Sequence, residues 1–272
     1  MEDIYIKFNT ISEFRDYLDK GKPCGKHKEI YNQDSQDVAS WGDWYGTKTY
    51  QEAQNLITYG DKDIADSIYE GVGRLCKGLK TKVRQLSAAV CGHAPHVPNY
   101  IAGRPNAMIR ANYIPVKTKI INLVYNISVN GGISAQEMKQ AAVTILSAIK
   151  TIESRGVRIN LYVADISYWR LREGVQFIGW TLKIKSSSQH LDILKTAYPL
   201  CNPAMLRRHS FRFTEVTKKV RGSGYGCASY DVTELCKSTG VNRAVQISFD
   251  TASSYGVDEL VQYILKQVEK IK

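Results

Sequence analysis

Four groups of side chains in this sequence are suited to chemistry. The first is Asn126-Ile127-Ser128-Val129-Asn130-Gly131-Gly132, which runs from an apolar segment toward a helix start. Oxygens at alternate loop positions can converge on one centre, and Asp165 or Asp250 from neighbouring strand ends would add the carboxylate that a hard divalent cation needs. The loop itself has no carboxylate, so a metal-free loop that keeps only the hydrogen-bonding geometry is the expectation, with no bound cofactor. The second group is Cys91-Gly92-His93-Ala94-Pro95-His96. It offers three zinc-type ligands, but a closed site needs four and no CxxC or HxxxH elsewhere supplies the last, so it reads as a turn. The third group is basic. Arg74, Lys77, Lys80, Lys82 and Arg84 occur without an acidic residue among them, and positions 74, 77, 80 and 84 can share one helical face. Arg207, Arg208, His209, Arg212, Lys218, Lys219 and Arg221 are broken only by Glu215 and interleaved with Phe211 and Phe213. Cations alternating with aromatics suit phosphate contact and base stacking. The fourth, Gly222-Ser223-Gly224-Tyr225-Gly226, is glycine-rich but does not join a strand to a helix, which makes it a poor phosphate cradle. There is no GxSxG, P-loop or HExxH, and His209 has no nucleophile at a fixed spacing, so no catalytic residue is assigned and an enzyme is not expected.

Composition bounds what such groups can serve. The chain has 272 residues and 37 Lys plus Arg against 26 Asp plus Glu, a formal charge of +11. That length holds one large or two small domains. With 43% hydrophobic and 23% charged residues the composition is globular, which excludes wholesale disorder. No apolar run approaches the roughly 20 residues of a membrane span. The start, Met1-Glu2-Asp3-Ile4, lacks a secretory pattern, so no membrane partner is expected. Six scattered cysteines fit reduced thiols in a cytoplasm. Tyrosine, 17 against 6 Phe, leans toward a binding surface.

The elements that must position these groups divide the chain near residue 115. In residues 1–115, Phe14, Tyr17 and Leu18 suggest a short helix begun by Ser12. Thr49 with Glu52 forms a capping box ahead of Ala53, Leu56 and Ile57, with Gly60 as the stop. Residues 61–90 read as helical in one or two pieces, interrupted near Gly71–Gly78. Residues 91–115 hold Pro95, Pro98, Pro105 and Pro115, an extended connector whose Val97, Tyr100, Ile101, Met108 and Ile109 should lie on a core. From 116 to 272 strand and helix alternate. Ile120–Ile127 is nearly all apolar, as in a strand covered on both faces. Ser134 with Glu137 opens a long helix that Gly156 closes. Val157 to Val163 alternates with period two. A strand over 175–185, with Gly179 as a bulge, should pair with it as an antiparallel hairpin. A helix ends at Pro199, Val245, Ile247 and Phe249 mark a last strand, and Val257 to Ile271 repeats at helical spacing. The order is an α/β layered sheet with one antiparallel strand plus an N-terminal α-rich region. Ligands in such sheets bind beyond the carboxyl ends of the strands: 126–132, 165–167 and 250–254.

Two resemblances add to this. The loop after the first strand of residues 116–272, and the strand and helix order that follows, resemble the von Willebrand factor A-type domain, where Asp-x-Ser-x-Ser holds a metal. Here Asn126 stands for the Asp, Ser128 matches the first Ser and Asn130 replaces the second. The resemblance implies a Rossmann-like sheet with a degenerate metal-site loop. The whole chain is also similar to a family of uncharacterised tailed-phage and prophage proteins. Trp41-Gly42-Asp43-Trp44-Tyr45-Gly46, Val97-Pro98-Asn99-Tyr100-Ile101-Ala102-Gly103, Leu123-Val124-Tyr125-Asn126 and Tyr198-Pro199-Leu200 before Met205-Leu206-Arg207-Arg208-His209 carry that similarity. It implies a phage-encoded protein in the cytoplasm of a bacterial host. The function expected is a non-enzymatic protein-interaction module with an unidentified protein partner; the alternative is nucleic-acid binding through 74–84 and 207–221.

Overall fold

The computed structural model describes residues 2–24, 42–75, 84–113 and 119–271. In chain order the elements are β1 (Ile4–Phe8), α1 (Ile11–Lys20), α2 (Gly42–Tyr45), α3 (Tyr50–Tyr59), α4 (Lys62–Leu75), β2 (Arg84–Ala89), β3 (Ala94–Pro95), α5 (Val97–Ile101) and β4 (Met108–Tyr113). They continue with β5 (Ile120–Asn126), α6 (Ala135–Ser154), β6 (Arg158–Leu171), β7 (Gly174–Lys185) and α7 (Ile193–Cys201). A π-helical turn, Met205–Ser210, leads into α8 (Phe211–Val216). β8 (Cys227–Ala228), α9 (Thr233–Ser238), β9 (Ala244–Ser248), α10 (Phe249–Ser254) and α11 (Val257–Lys270) complete the fold.

The main sheet runs β1-β7-β6-β5-β9, with β8 added beside the far end of β6. β5 lies between β6 and β9 and is parallel to both. Its apolar run follows from this position. Ile121, Leu123 and Tyr125 face one core, while Val124 faces a second made with Tyr162, Ile166, Val232 and Leu235. The larger core packs α6, α7, α10 and α11 over the sheet. Ser134 and Glu137 form the reciprocal box expected at the start of α6. At α3, Thr49 accepts from the Glu52 N–H, while Glu52 reaches the Lys48 N–H, one residue before the cap.

Several elements differ from the expectation. Ile4–Phe8 is a strand parallel to β7, and the helix after it is capped by Thr10, not Ser12. Gly179 sits in regular pairing opposite Ile166; the register shift is at Leu161/Tyr162. A Cβ on Gly179 would meet the Asp165 carbonyl at 2.7 Å, so close approach of backbone explains the glycine. Pro199 lies inside α7. Of the stretch 61–90 read as helix, 62–75 is α4 and 76–83 lie outside the described residues, while 84–89 is β2, in a small antiparallel sheet ordered β2-β4-β3. The connector 91–115 is not simply extended, since β3, α5 and β4 occupy much of it. Val97, Tyr100 and Ile101 are not on a core; their outward faces are solvent-exposed.

Candidate functional site

β5 delivers Asn126 to the carboxyl edge of the sheet, and the backbone turns away there with Ile127 N–H donating to Ala164 O at 2.9 Å. The Asn126 amide works in both directions. Its Nδ2 donates to Ser229 O at 2.8 Å and its Oδ1 accepts the Ser128 N–H at 3.0 Å, the local turn that an Asn favours. Ser128 Oγ donates to Asp165 Oδ1 at 2.7 Å and accepts the Ile166 N–H at 2.8 Å. Asp165 also bonds Ser210, whose Oγ accepts from Trp180 Nε1 at 3.2 Å. Burial raises the Asp165 carboxyl to about 6, only partly offset by these hydrogen bonds. Asn126, Ser128 and Asp165 thus meet, and their oxygens face inward, engaged in pinning the loop. Asp250 is apart from them, exposed in the first turn of α10. Among the described residues no three His, Cys, Asp or Glu side chains cluster to hold a metal. His96, from the Cys91 group, caps α5 by accepting the Asn99 N–H.

Above this buried layer lies an exposed one. Asn130 Nδ2 donates to the Tyr230 hydroxyl at 3.1 Å, and Gly131 and Gly132 are open to solvent. Trp44 closes on the loop from the side, its Nε1 donating to Gly131 O at 2.7 Å. Gly46, at φ +77°, makes the turn that follows Trp44; a Cβ there would strike Asn202.

The second basic group explains how Trp44 is held, and corrects the nucleic-acid expectation for Arg207, Arg208 and Arg212. They are 1%, 2% and 1% exposed, so no phosphate reaches them. Arg207 donates to Trp44 O at 2.6 Å and Ile133 O at 2.5 Å, with its guanidinium 4.2 Å from the Trp44 ring centre. Arg208 donates to Thr47 Oγ1, Thr47 O and Lys48 O, and lies 4.7 Å from the Tyr45 ring. Arg212 donates to Leu18 O at 3.1 Å. Guanidinium forks satisfy backbone carbonyls that would otherwise be buried without donors. Burial lowers Arg207 to about 10, which leaves it cationic at neutral pH. Phe213 is buried, and Phe211 stacks on Tyr225 at 4.0 Å between centres. Lys218, Lys219 and Arg221 of the group remain exposed, with Lys219 paired to Glu2 and Arg221 to Glu173, each at 2.8 Å. In the first group Arg74 falls in α4 and Arg84 begins β2, while Lys77 and Lys80 lie outside the described residues, as does Trp41.

Chemistry is not evident in this arrangement. Ser128 faces a carboxyl with no imidazole beside it. His209 is buried among Phe14, Tyr50 and Tyr198, with Nδ1 at 2.9 Å from the Tyr198 hydroxyl, and burial drives it down to about 3, so the ring is neutral. The glycine-rich loop is a clasp on Trp169: a Cβ at Gly222 would lie 1.9 Å from the indole, which donates to Ser223 O. Sequence reasoning missed Tyr230 as a partner of Asn130, and nothing in its spacing marks it. It also missed the joining of Trp44 to Arg207, although both motifs stood out.

No curated protein and no solved structure matches this chain. One family model does match, over residues 2–271, and on that span the chain belongs to DUF7192, a domain of unknown function.

Proposed function

We propose that this protein is a non-enzymatic protein-interaction module whose recognition surface is the strand-end face bearing Asn130, Gly131, Gly132, Tyr230 and the edge of Trp44. One observation carries the reading: the loop is fixed from below by Asn126, Ser128 and Asp165 and from the side by Trp44 and Arg207, while its outer polar and aromatic groups stay exposed. A rigid, preorganised loop with a Tyr and a Trp at its rim costs little entropy to dock. The order β7-β6-β5-β9, with only β7 antiparallel among these four, supports kinship with the von Willebrand factor A-type arrangement, in which such a loop contacts partners. The metal loop is then a degenerate one, and hydrogen bonds replace the cation. Fold alone does not fix a role. The phage origin and the host cytoplasm belong to the same proposal and rest on the sequence resemblance.

The test is capture from phage-infected bacterial cells by the full chain and by Asn130→Ala plus Tyr230→Ala, each with and without nuclease. A protein retained after nuclease by the full chain, and lost by the variant, is the expected result. Partners that vanish with nuclease would favour the nucleic-acid alternative instead.

A further inference from the structure

The positive charge of this chain is concentrated. Between Glu70 and Glu137 the sequence holds nine Lys or Arg and no Asp or Glu, whereas the remainder has 28 cations against 26 acids. Within that acid-free stretch the small β2-β4-β3 sheet carries α5, whose Val97, Tyr100 and Ile101 fall at i, i+3 and i+4 and so share one face. They are 56%, 73% and 80% exposed, while Asn99, on the other side of the turn, is buried and donates to Asn106 O at 3.0 Å. Leu86 and Val90 are exposed as well, at 57% and 75%. Among the described side chains, none from 86 to 111 belongs to either hydrophobic core. Arg104 and Arg110 are exposed, and no ion pair or side-chain hydrogen bond engages either.

We infer that the α5 face docks on an anionic lipid surface, with Val97, Tyr100 and Ile101 entering the headgroup boundary and Arg104 and Arg110 meeting lipid phosphates. Charge complementarity selects the occupant. A second copy would bring the same acid-free stretch or a nearly neutral remainder, neither of which attracts it. A long run of one sign suits an extended polyanion. Nucleic acid would answer the cations but not four projecting aliphatic side chains, because bases stack on aromatic rings. A bilayer surface answers both: aliphatics lie at the acyl boundary, Tyr sits at headgroup level and cations face the phosphates. No described helix is long and apolar enough to cross a membrane, and lying on one is a separate requirement. This goes against the expectation of no membrane partner, which rested on the lack of a membrane-spanning run and of a secretory start. The surface shares no residue with the strand-end face, so each reading can fail alone.

Co-sedimentation of the full chain with vesicles of phosphatidylcholine, alone or with about a third phosphatidylglycerol, tests this. Binding is expected to the mixed vesicles only, weakening as salt rises. Val97→Ser with Tyr100→Ser and Ile101→Ser, and separately Arg104→Glu with Arg110→Glu, should each reduce partitioning roughly tenfold or more. Lys218→Glu with Lys219→Glu makes the same charge change elsewhere and should have a much smaller effect. Circular dichroism melting confirms each fold, and Ile101→Ser alone replaces the triple variant if that one unfolds. Absence of binding to mixed vesicles overturns the inference, as does equal loss in the two charge-reversal variants. Tight binding to single-stranded DNA that survives the serine substitutions, without vesicle binding, would make the face a polynucleotide site.

Discussion

Replacing Arg207 with Ala should destabilise this protein far more than the loss of any surface cation. The side chain is 1% exposed and its two terminal nitrogens serve Trp44 O and Ile133 O. Hydrogen bonds from a charged group contribute about 1.5–3 kcal/mol each, and both carbonyls lose their donor. The stacked Trp44 ring, 4.2 Å from the guanidinium, adds about 0.5–2 kcal/mol. Some relaxation and water entry offset this, so a loss of about 3–5 kcal/mol is expected. Arg207→Lys should recover only part of it, because one ammonium cannot span both carbonyls or stack flat on the indole. Urea unfolding followed by circular dichroism measures the change, with Lys218→Ala as the comparison. That exposed lysine should shift stability by no more than about 0.5 kcal/mol. A loss below about 1 kcal/mol for Arg207→Ala would refute the clamp and return the basic run to the surface.

Further outcomes follow from the same contacts. Asp165, raised to about 6 by burial, binds its proton more tightly folded than unfolded, so its contribution to stability falls as pH rises from about 4 to 6. His209, depressed to about 3 by burial, works the other way, and its contribution falls as pH drops from about 6.5 to 3. The two slopes oppose each other between pH 4 and 6; Asp165→Asn should therefore expose an acid-labile profile and His209→Gln the reverse, read by urea midpoints across that range. Gly222→Ala should cost about 2 kcal/mol or more because its Cβ would overlap Trp169, whereas Gly224→Ala, with open space but φ +67°, should cost about 1 kcal/mol; thermal melts compare them. Added magnesium or manganese should leave the melting temperature unchanged, since the oxygens of Asn126, Ser128 and Asp165 are already engaged, and a saturable rise would contradict that.

How much of this fold the sequence reveals depends on how local the signal is. The Ser134–Glu137 box, the β6–β7 hairpin, the apolar run of β5 and the helical spacing of α11 all carry their pattern within a few residues, and each forms where expected. β1 does not announce itself, because its pairing partner at Ile178–Leu182 lies about 170 residues away and only five residues alternate. β2 is short, follows a basic stretch and has no turn residue to mark its start. At the site, Asn126, Ser128 and Asp165 were legible because strand ends converge in such sheets, and β5 and β6 are neighbours. Arginines 207, 208 and 212 were misread for a physical reason. A basic run looks solvated until one sees that its guanidiniums are taken up by the carbonyls of Trp44, Thr47, Lys48 and Ile133, which come from segments far away in sequence.

The strand-end face is proposed as the surface that meets a protein. A photo-crosslinking phenylalanine analogue at position 230, on that face, should trap a discrete protein adduct in nuclease-treated infected-cell extract. The same group at position 59, still more exposed on α3, should trap none. Adducts of the same mass from both positions, or none from position 230 while position 59 crosslinks, would contradict it.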